Sequence, residues 1–329
     1  MKKVIVISLW LFMTILFGAC NNKNAYQDDN KLQVSVTFNA MAELAQAVGQ
    51  DKIEVSTIIP AGSEPHNFEP KALDITKLSK GQIFIYQGLG MEPWVEETIA
   101  AANNPSLIVV EASKGATPIT SSEEESHSNT SMEADASKDG HTQEDEHTQE
   151  EESSHDHSHG EYDPHLWLSI KGAQIIVNNI ADALVEADQA NKDFYLANAS
   201  DYNAELENLY TEYSEKFESL ENKNFVTGHA AFGYFCKDFS LVQNSVANVF
   251  AEGEPSTKQL ASLVDYCKEN KVKTIFAEKM ANPEISQTLA TEINATVTTI
   301  YTMEGPEDNL NYMERIRSNC ENVYNSLKQ

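Results

Sequence analysis

Short apolar runs alternate with amphipathic segments along most of the chain, and this alternation predicts a parallel β-sheet flanked by helices. Apolar residues three and four positions apart are typical of helices, whereas short unbroken or alternating apolar runs are typical of strands. The first predicted strands are LQVSVTF, IEVSTIIP, QIFIYQG and SLIVVEAS, and the helical segments between them are NAMAELAQAVG, EPKALDITKLSKG and EPWVEETIAAA. This part of the chain therefore predicts an α/β lobe.

The same alternation returns in the last third of the chain. Its predicted strands are NFVTGH, SLVQNSV, VKTIFAE and ATVTTIYTME, and its predicted helices are AAFGYFCKDF, STKQLASLVDYCKEN, ANPEISQTLATEI and NLNYMERIRSNCENVYNSLK. Between the two sets lie an amphipathic segment, IKGAQIIVNNIADALVEA, and a long polar stretch without Gly or Pro. The pattern thus predicts two parallel-sheet α/β lobes joined by one long rigid helix.

The N-terminus departs from this pattern and predicts a targeting segment. Lys2 and Lys3 precede an apolar run of 14 residues, 4–17, which is too short for a comfortable membrane span. The following LFGAC resembles a bacterial lipobox, in which the cysteine becomes the lipidated first residue. We therefore expect a lipoprotein signal peptide at 1–19 and a lipidated Cys20 with a polar tether up to residue 30. The protein is then exported and anchored at the cell envelope, on the outer face of the cytoplasmic membrane or in the periplasm.

A second departure interrupts the first lobe. Residues 117–160 are dominated by Ser, Glu, Asp, His, Thr and Gln, with almost no large apolar residue. Such a segment buries too little apolar surface to offset the entropy of ordering, so we expect a disordered insertion. The predicted organisation is an N-terminal lobe at 31–116 and 161–190, the insertion at 117–160, the linking helix at 191–220 and a C-terminal lobe at 221–329.

The charge and the cysteines limit the classes of function. The 329 residues carry a formal net charge of −28, which argues against nucleic acid and fits a protein that meets cations. Beyond Cys20 the cysteines are Cys236, Cys267 and Cys320, without the CxxC spacing of a thiolate zinc site. An exported chain permits one disulfide, for which we expect Cys267 with Cys320. The alternative is that these cysteines are buried free thiols.

Three histidines outside the insertion lie in similar positions along the pattern. His66 is in the segment GSEPHNFEP, His165 in EYDPHLWLS and His229 in TGHAAFGYF. Each follows a strand-like segment or lies in a Pro-bounded loop, and parallel α/β sheets bind ligands at the carboxyl ends of their strands. A ligand touching all three would lie in the cleft between the lobes. The alternative is that each is an isolated core or surface histidine.

Three imidazoles need one more donor to close a tetrahedral zinc site. Two carboxylates compete for this place. Glu278 ends the predicted strand VKTIFAE, and Glu304 ends the predicted strand ATVTTIYTME. Both could reach the cleft, so the pattern alone leaves the choice open.

Several segments, in order, resemble the zinc-binding solute-binding lipoproteins of bacterial metal ABC importers, the zinc/manganese family called cluster A-I. The matching segments are GSEPHNFEP, GLGMEPWVEE, DPHLWLS, GHAAFGYF and TIFAE. The resemblance runs from about residue 33 to the C-terminus, interrupted only by the insertion. One departure is the pair Thr302 and Met303, where many members have Pro-Leu before the acidic ligand.

The resemblance implies metal ligation by His66, His165, His229 and Glu304, in the cleft between the lobes. It implies that Glu278 supports the site from outside the ligand set, or serves as an alternative ligand. Manganese-binding relatives have a carboxylate in place of the third histidine, so His229 favours Zn²⁺, in line with the preference of zinc for nitrogen donors. The implied function is a monomeric, lipid-anchored receptor that captures Zn²⁺ with high affinity and delivers it to an ABC permease with its ATPase.

The insertion carries a second group of histidines. It holds thirteen acidic residues between 121 and 160 together with His127, His141, His147, His155, His157 and His159. Neutral imidazoles among carboxylates bind cations weakly, and such a segment can bind many cations at a time. Similar loops mark zinc-binding members of the family, so we expect a loose metal-collecting role. The alternative is a solvated segment without function.

Three other functions are alternatives to zinc capture. The first is a manganese- or iron-binding receptor of the same architecture. The second is a secreted zinc hydrolase, which needs an open metal position for water and a nearby general base. The sequence contains no HExxH motif, and we expect no enzymatic activity. The third is a surface adhesin, a role associated with the family that could coexist with transport.

Overall fold

The computed structural model describes residues 31–120, 161–249, 255–279 and 284–328. The predicted signal peptide, the lipidated Cys20 with its tether, and the six histidines of the acidic insertion lie outside these residues. Within the described ranges, no helix combines the length and the apolar character needed to cross a bilayer.

Four parallel strands form the sheet of the first lobe. They are β1 (Leu32–Val36), β2 (Ile53–Thr57), β3 (Ile83–Tyr86) and β4 (Ile108–Glu111), in the spatial order β2-β1-β3-β4. The helices between them are α1 (Asn39–Gly49), α2 (Ala72–Lys80) and α3 (Val95–Ala102). Parallel strands need such crossover connections, which is why apolar runs and amphipathic segments alternate in the sequence.

Two long helices follow the first sheet. They are α4 (Ile170–Ala187) and α5 (Lys192–Glu218). α4 begins after Ser169, whose hydroxyl oxygen accepts a hydrogen bond from the backbone nitrogen of Gly172 at 2.9 Å and so caps the helix. α5 runs unbroken for 27 residues and buries one stripe of side chains, among them Leu206, Leu209 and Phe217. α5 therefore confirms the prediction of one long helix between the lobes.

The second lobe repeats the topology of the first. Its strands are β5 (Asn224–His229), β6 (Val242–Ala247), β7 (Thr274–Glu278) and β8 (Thr296–Ile300), all parallel in the order β6-β5-β7-β8. Its helices are α6 (Gly233–Phe239), α7 (Thr257–Glu269), α8 (Glu284–Ile293) and α9 (Tyr312–Leu327). The predicted architecture of two parallel-sheet α/β lobes is confirmed.

One hydrophobic cluster extends through both lobes. It joins side chains of the first sheet, such as Val34, to side chains of the second, such as Phe276, through Trp167 and the apolar faces of α4 and α5. Burial of this apolar surface is the main stabilising term, at about 25 cal/mol per Å². Because the two sheets share a core, the lobes pack directly against each other, and this packing fixes the residues that face each other between them.

The cysteines correct one prediction. Cys236, Cys267 and Cys320 are all buried, and no disulfide joins Cys267 to Cys320. Cys267 packs in a small cluster with Val226, whereas Cys320 belongs to the cluster that joins the lobes. The predicted Cys267–Cys320 disulfide is therefore not formed. Burial raises the pKa of the Cys267 thiol to about 12, as expected for an unreactive core thiol.

The edges of the acidic insertion are part of the fold. Thr120 forms an antiparallel bridge with Tyr162, and the backbone nitrogen of Asp163 donates a hydrogen bond to the carbonyl oxygen of Ile119 at 2.9 Å. Residues 117–120, which the composition assigned to the insertion, thus pack with the first lobe. The remainder of the predicted insertion, 121–160, lies outside the described residues.

Candidate metal centre

Four side chains from separate parts of the chain meet at the carboxyl ends of the two sheets. They are His66 from the loop after β2, His165 from the segment before α4, His229 at the end of β5 and Glu304 from the loop after β8. One ligand atom of each lies within 4.8 Å of the others. Among the described residues, no other group of three or more His, Cys, Asp or Glu side chains is close enough to share a metal ion.

His165 is fully buried, and Asp163 fixes the orientation of its ring. The Oδ1 atom of Asp163 lies 2.9 Å from the backbone nitrogen of His165 and 2.8 Å from its Nδ1. This contact engages Nδ1, while Nε2 of His165 lies 3.2 Å from Nε2 of His66. Two nitrogens bound to one zinc ion at about 2.0–2.1 Å in tetrahedral geometry lie about 3.3 Å apart. The separation therefore fits two ligands of a shared ion.

Trp167 holds the His165 segment between the lobes. Its indole Nε1 donates a hydrogen bond to the carbonyl oxygen of Thr302, two residues before Glu304, at 2.7 Å. Its ring packs edge-on against Phe38 from the first lobe, with centroids 4.7 Å apart. The indole is fully buried, so this side chain directly links the histidine segment to the loop that carries the carboxylate.

His229 is oriented by Glu278, which ends the adjacent strand β7. Oε1 of Glu278 accepts a hydrogen bond from the backbone nitrogen of His229 at 3.0 Å and lies 3.3 Å from its Nδ1. On the other side of the ring, Nε2 of His229 is buried without a hydrogen-bond partner among the described residues. A buried polar atom left unpaired is unfavourable, and a metal ion bound at this nitrogen would satisfy it.

Gly228 permits this approach of Glu278. A Cβ atom at position 228 would lie 1.9 Å from Oε2 of the Glu278 carboxylate, well inside van der Waals contact. Any larger residue at 228 would therefore displace the carboxylate that holds the His229 ring. The glycine in the TGH segment is required by the close packing of β5 against β7.

The protonation states of the four groups suit a cation. Burial and the neighbouring imidazoles hold the pKa values of His66 and His165 well below the usual value. Burial also opposes protonation of His229, but the hydrogen bond and charge of Glu278 and the charge of Glu304 outweigh it and raise the pKa to about 9. Burial and the nearby Glu64 raise the pKa of Glu304 above its usual value. Two imidazoles thus present neutral nitrogens at pH 7, and a bound metal ion would displace the protons held by His229 and Glu304.

The structure brings together most of the residues that the sequence singled out. The three histidines and Glu304 converge, while Glu278 contacts His229 from the side away from the cluster. Asp163 was missed, although a carboxylate two positions before a candidate histidine was a usable signal, because metal-binding histidines commonly hydrogen-bond such a group. The histidines of the acidic insertion and Cys20 lie outside the described residues.

Three imidazoles and a carboxylate that converge between two α/β lobes define a metal-binding protein of the solute-binding class. The chain belongs to the family described as "Zinc-uptake complex component A periplasmic", whose model matches residues 34–326. This family is a substrate-binding component of transport and not a known class of enzyme. The family resemblance predicted from the sequence motifs is confirmed.

Individual relatives agree with this assignment. The chain is 40% identical over 332 residues to a "Putative metal-binding protein" of Treponema pallidum (strain Nichols), covering 100% of this chain and 98% of that protein. It is 35% identical over 322 residues to the "High-affinity zinc uptake system protein ZnuA" of Bacillus subtilis (strain 168), covering 95% and 94%. Among solved structures, the laminin binding protein of Streptococcus agalactiae matches with a TM-score of 0.74 and 30% identity, covering 90% of this chain and 99% of that one. That protein is described as bifunctional, "with adhesin and metal transporting activity".

Proposed function

We propose that this protein captures Zn²⁺ outside the cytoplasmic membrane and delivers it to an ABC permease for uptake. The observation that supports this most directly is the convergence of four possible ligand atoms within 4.8 Å, one of them a buried nitrogen with no hydrogen-bond partner in the part of the chain that the structure describes. The family and the zinc-uptake relative from Bacillus subtilis support the same substrate.

The proposed ligands are Nε2 of His66, His165 and His229 together with the carboxylate of Glu304. Four protein donors close a tetrahedral zinc site and leave no position for a reactive water. A secreted zinc hydrolase needs that position, so the donor set favours capture and release over catalysis. The role proposed for Glu278 is to hold His229 through its Nδ1 atom and backbone nitrogen, with no direct bond to the metal.

The donor set also bears on the choice of metal. Three nitrogen donors and one oxygen suit zinc better than manganese, which prefers oxygen ligands. The presence of His229 rather than a carboxylate at the end of β5 therefore favours zinc over the alternative of a manganese or iron receptor.

The remaining parts of the chain are proposed to anchor the protein at the membrane and to keep zinc near the metal centre. A signal peptide at 1–19 and a lipid on Cys20 would anchor a monomeric receptor near its permease, as the LFGAC motif and the polar tether suggest. The two lobes at 31–116 with 161–190 and at 221–329, linked by 191–220, would hold the zinc between them.

The acidic segment 121–160 is proposed to collect zinc loosely. Its six histidines and thirteen acidic residues support this role. Deletion of residues 121–158 tests it. We expect a lower zinc stoichiometry and poorer growth in scarce zinc, whereas an unchanged stoichiometry together with unchanged growth would refute the collecting role.

Metal analysis of the purified protein tests the proposed function. We expect one tightly bound zinc at the centre, found by competition against a chromophoric chelator, and preference for zinc when manganese is offered in excess. His229→Ala and Glu304→Gln should each weaken zinc binding, whereas the exposed Glu292, which pairs with Lys268 at the surface, provides the matched control Glu292→Gln. Preferential manganese binding would overturn the choice of metal, and wild-type affinity in Glu304→Gln would overturn the choice of ligand.

A further inference from the structure

A buried arginine contacts the loop that carries Glu304. Arg315 on α9 has no exposed surface, and its Nη1 donates hydrogen bonds to the carbonyl oxygen of Gly305 at 2.8 Å and to Oε2 of Glu307 at 3.2 Å. The same Oε2 atom of Glu307 accepts a hydrogen bond from the backbone nitrogen of Met303 at 3.0 Å. One ion pair therefore holds the residue before Glu304 and the residue after it.

The network continues into the first lobe. Nη2 of Arg315 donates to Oε1 of Glu43 on α1, which also accepts a hydrogen bond from Nδ2 of Asn39 at 2.6 Å. The backbone nitrogen of Asn39 in turn donates to the carbonyl oxygen of Glu304 at 3.2 Å. The carboxylate loop of the second lobe is thus tied at its centre to the first turn of α1.

The backbone next to Glu304 is in an unfavourable conformation. Met303 has φ = +59°, in the left-handed region that residues other than glycine rarely adopt, and its side chain is fully buried. Such a conformation persists only where the surrounding structure imposes it, and such residues cluster at functional sites. The hydrogen bond from the backbone nitrogen of Met303 to Glu307 is one contact that holds this conformation.

The ionic contacts of the network indicate that it orients the Glu304 loop more than it stabilises the fold. A buried ion pair is an inefficient way to stabilise a fold, since desolvation of both charges offsets most of their attraction. A guanidinium group, however, presents several donors in a rigid plane and can hold several acceptors at fixed positions. Arg315 does this for Gly305, Glu307 and Glu43 at once.

We propose that Arg315, with Glu307 and Glu43, is a positioning residue that places the Glu304 carboxylate in the metal centre and couples its position to the first lobe. This inference rests on the proposed zinc-binding function and deepens it. Its consequence is that zinc affinity depends on Glu43, which is not a ligand and lies in the other lobe from Glu304.

A double-mutant cycle tests the proposal. Arg315→Lys keeps the charge but loses the planar set of donors, so the Glu304 loop is no longer held at both ends. We expect zinc affinity to fall by about 10-fold or more in an otherwise wild-type chain. In a chain that carries Glu304→Gln, the same Arg315→Lys change should have little further effect, because it acts through the missing carboxylate.

Two further variants complete the design. Glu43→Gln, a change at a partly exposed position, provides the same cycle if Arg315→Lys does not fold. Arg317→Lys is the matched control, since Arg317 lies on the same helix but is exposed and pairs with Glu212 at the surface. Cobalt absorption spectra of each folded variant report whether the coordination of the metal changes, which a purely structural role would leave unaltered.

The outcomes separate this proposal from the proposed function. Equal losses of affinity from Arg315→Lys and Glu43→Gln with and without Glu304→Gln would overturn the positioning role while leaving zinc binding intact. Wild-type affinity and spectra in both variants would overturn it too. A wild-type protein that binds no zinc would instead overturn the proposed function itself.

Discussion

The Oε1 atom of Glu278 lies 3.0 Å from the backbone nitrogen of His229 and 3.3 Å from its ring Nδ1. Each residue is the last of its strand, and the strands β5 and β7 are neighbours in the second sheet. The contact directs Nε2 of His229 away from Glu278, to a side where no group of the described residues pairs with it. The nitrogen proposed as a ligand at one strand end is thus oriented by a carboxylate at the adjacent strand end.

Glu278→Gln should weaken zinc binding without removing a ligand. The substitution removes the negative charge that favours a cationic or metal-bound His229 and loosens the ring. Changes to such supporting partners cost about 10-fold to 100-fold in metal affinity. Competition titration measures the effect, with Glu292→Gln as the surface control. Equal affinities in wild type and Glu278→Gln would show that this carboxylate does not orient the ligand.

Gly228→Ala should disturb the same pair from the backbone side. The added Cβ atom would lie 1.9 Å from Oε2 of Glu278, so the carboxylate must move away from His229. Overpacking of this kind costs about 1–3 kcal/mol in the free energy of unfolding, which denaturant titration of the metal-free protein measures. Gly81→Ala is the control, because a Cβ there meets its nearest neighbour at 3.5 Å, an ordinary contact.

A second measurement separates the clash from a general effect on folding. In a chain that already carries Glu278→Ala, the carboxylate is absent and Gly228→Ala should destabilise much less than it does in wild type. Equal destabilisation in the two backgrounds would mean that Gly228 is needed for some reason other than the approach of Glu278.

Much of the fold was predictable because its local signals agree with its tertiary packing. The amphipathic period of IKGAQIIVNNIADALVEA predicts a helix that matches α4, and NFVTGH matches β5 residue for residue. The helix predicted over EPWVEETIAAA was placed too early at its start, because α3 begins only at Val95. Glu92 instead turns inward and accepts hydrogen bonds from the backbone nitrogens of Gln87 and Gly88 at 2.9 and 3.0 Å. Only the packed structure shows this use of the side chain.

Some residues of the candidate site could likewise be predicted from the sequence, and others could not. The three histidines could be predicted because each follows a strand-like segment or lies in a Pro-bounded loop, whereas the choice of Glu304 over Glu278 needed the family resemblance. Arg315 could not be predicted. Its partner Glu43 lies 272 positions away in the sequence. An arginine among the polar positions of a C-terminal helix is expected to be exposed to solvent, whereas Arg315 is fully buried.

Zinc should stabilise the folded protein through its four proposed ligands. A ligand that binds only the folded state raises the free energy of unfolding by about 2.7 kcal/mol at a concentration 100 times its dissociation constant. We therefore expect the melting temperature to rise with zinc concentration and to fall back when a chelator is added. A His66→Ala, His229→Ala double variant should lose the response. A rise of the same size in that variant would place the bound zinc elsewhere in the chain.

Asp238 should make stability depend on pH in the direction opposite to most carboxylates. It accepts hydrogen bonds from the hydroxyl of Ser169 at 2.8 Å and from the backbone nitrogen of Ile170 at 2.8 Å, yet burial raises its pKa to about 6 from 3.8. A raised pKa means that the folded state holds its proton more tightly, so this stabilisation is complete below pH 3.8 and is lost as the pH rises through 6. Relative to Asp238→Asn, metal-free wild type should therefore lose roughly 2 kcal/mol of unfolding free energy between pH 4 and pH 7. Denaturant titrations of both proteins at the two pH values measure this difference, and a constant difference between them would contradict the raised pKa.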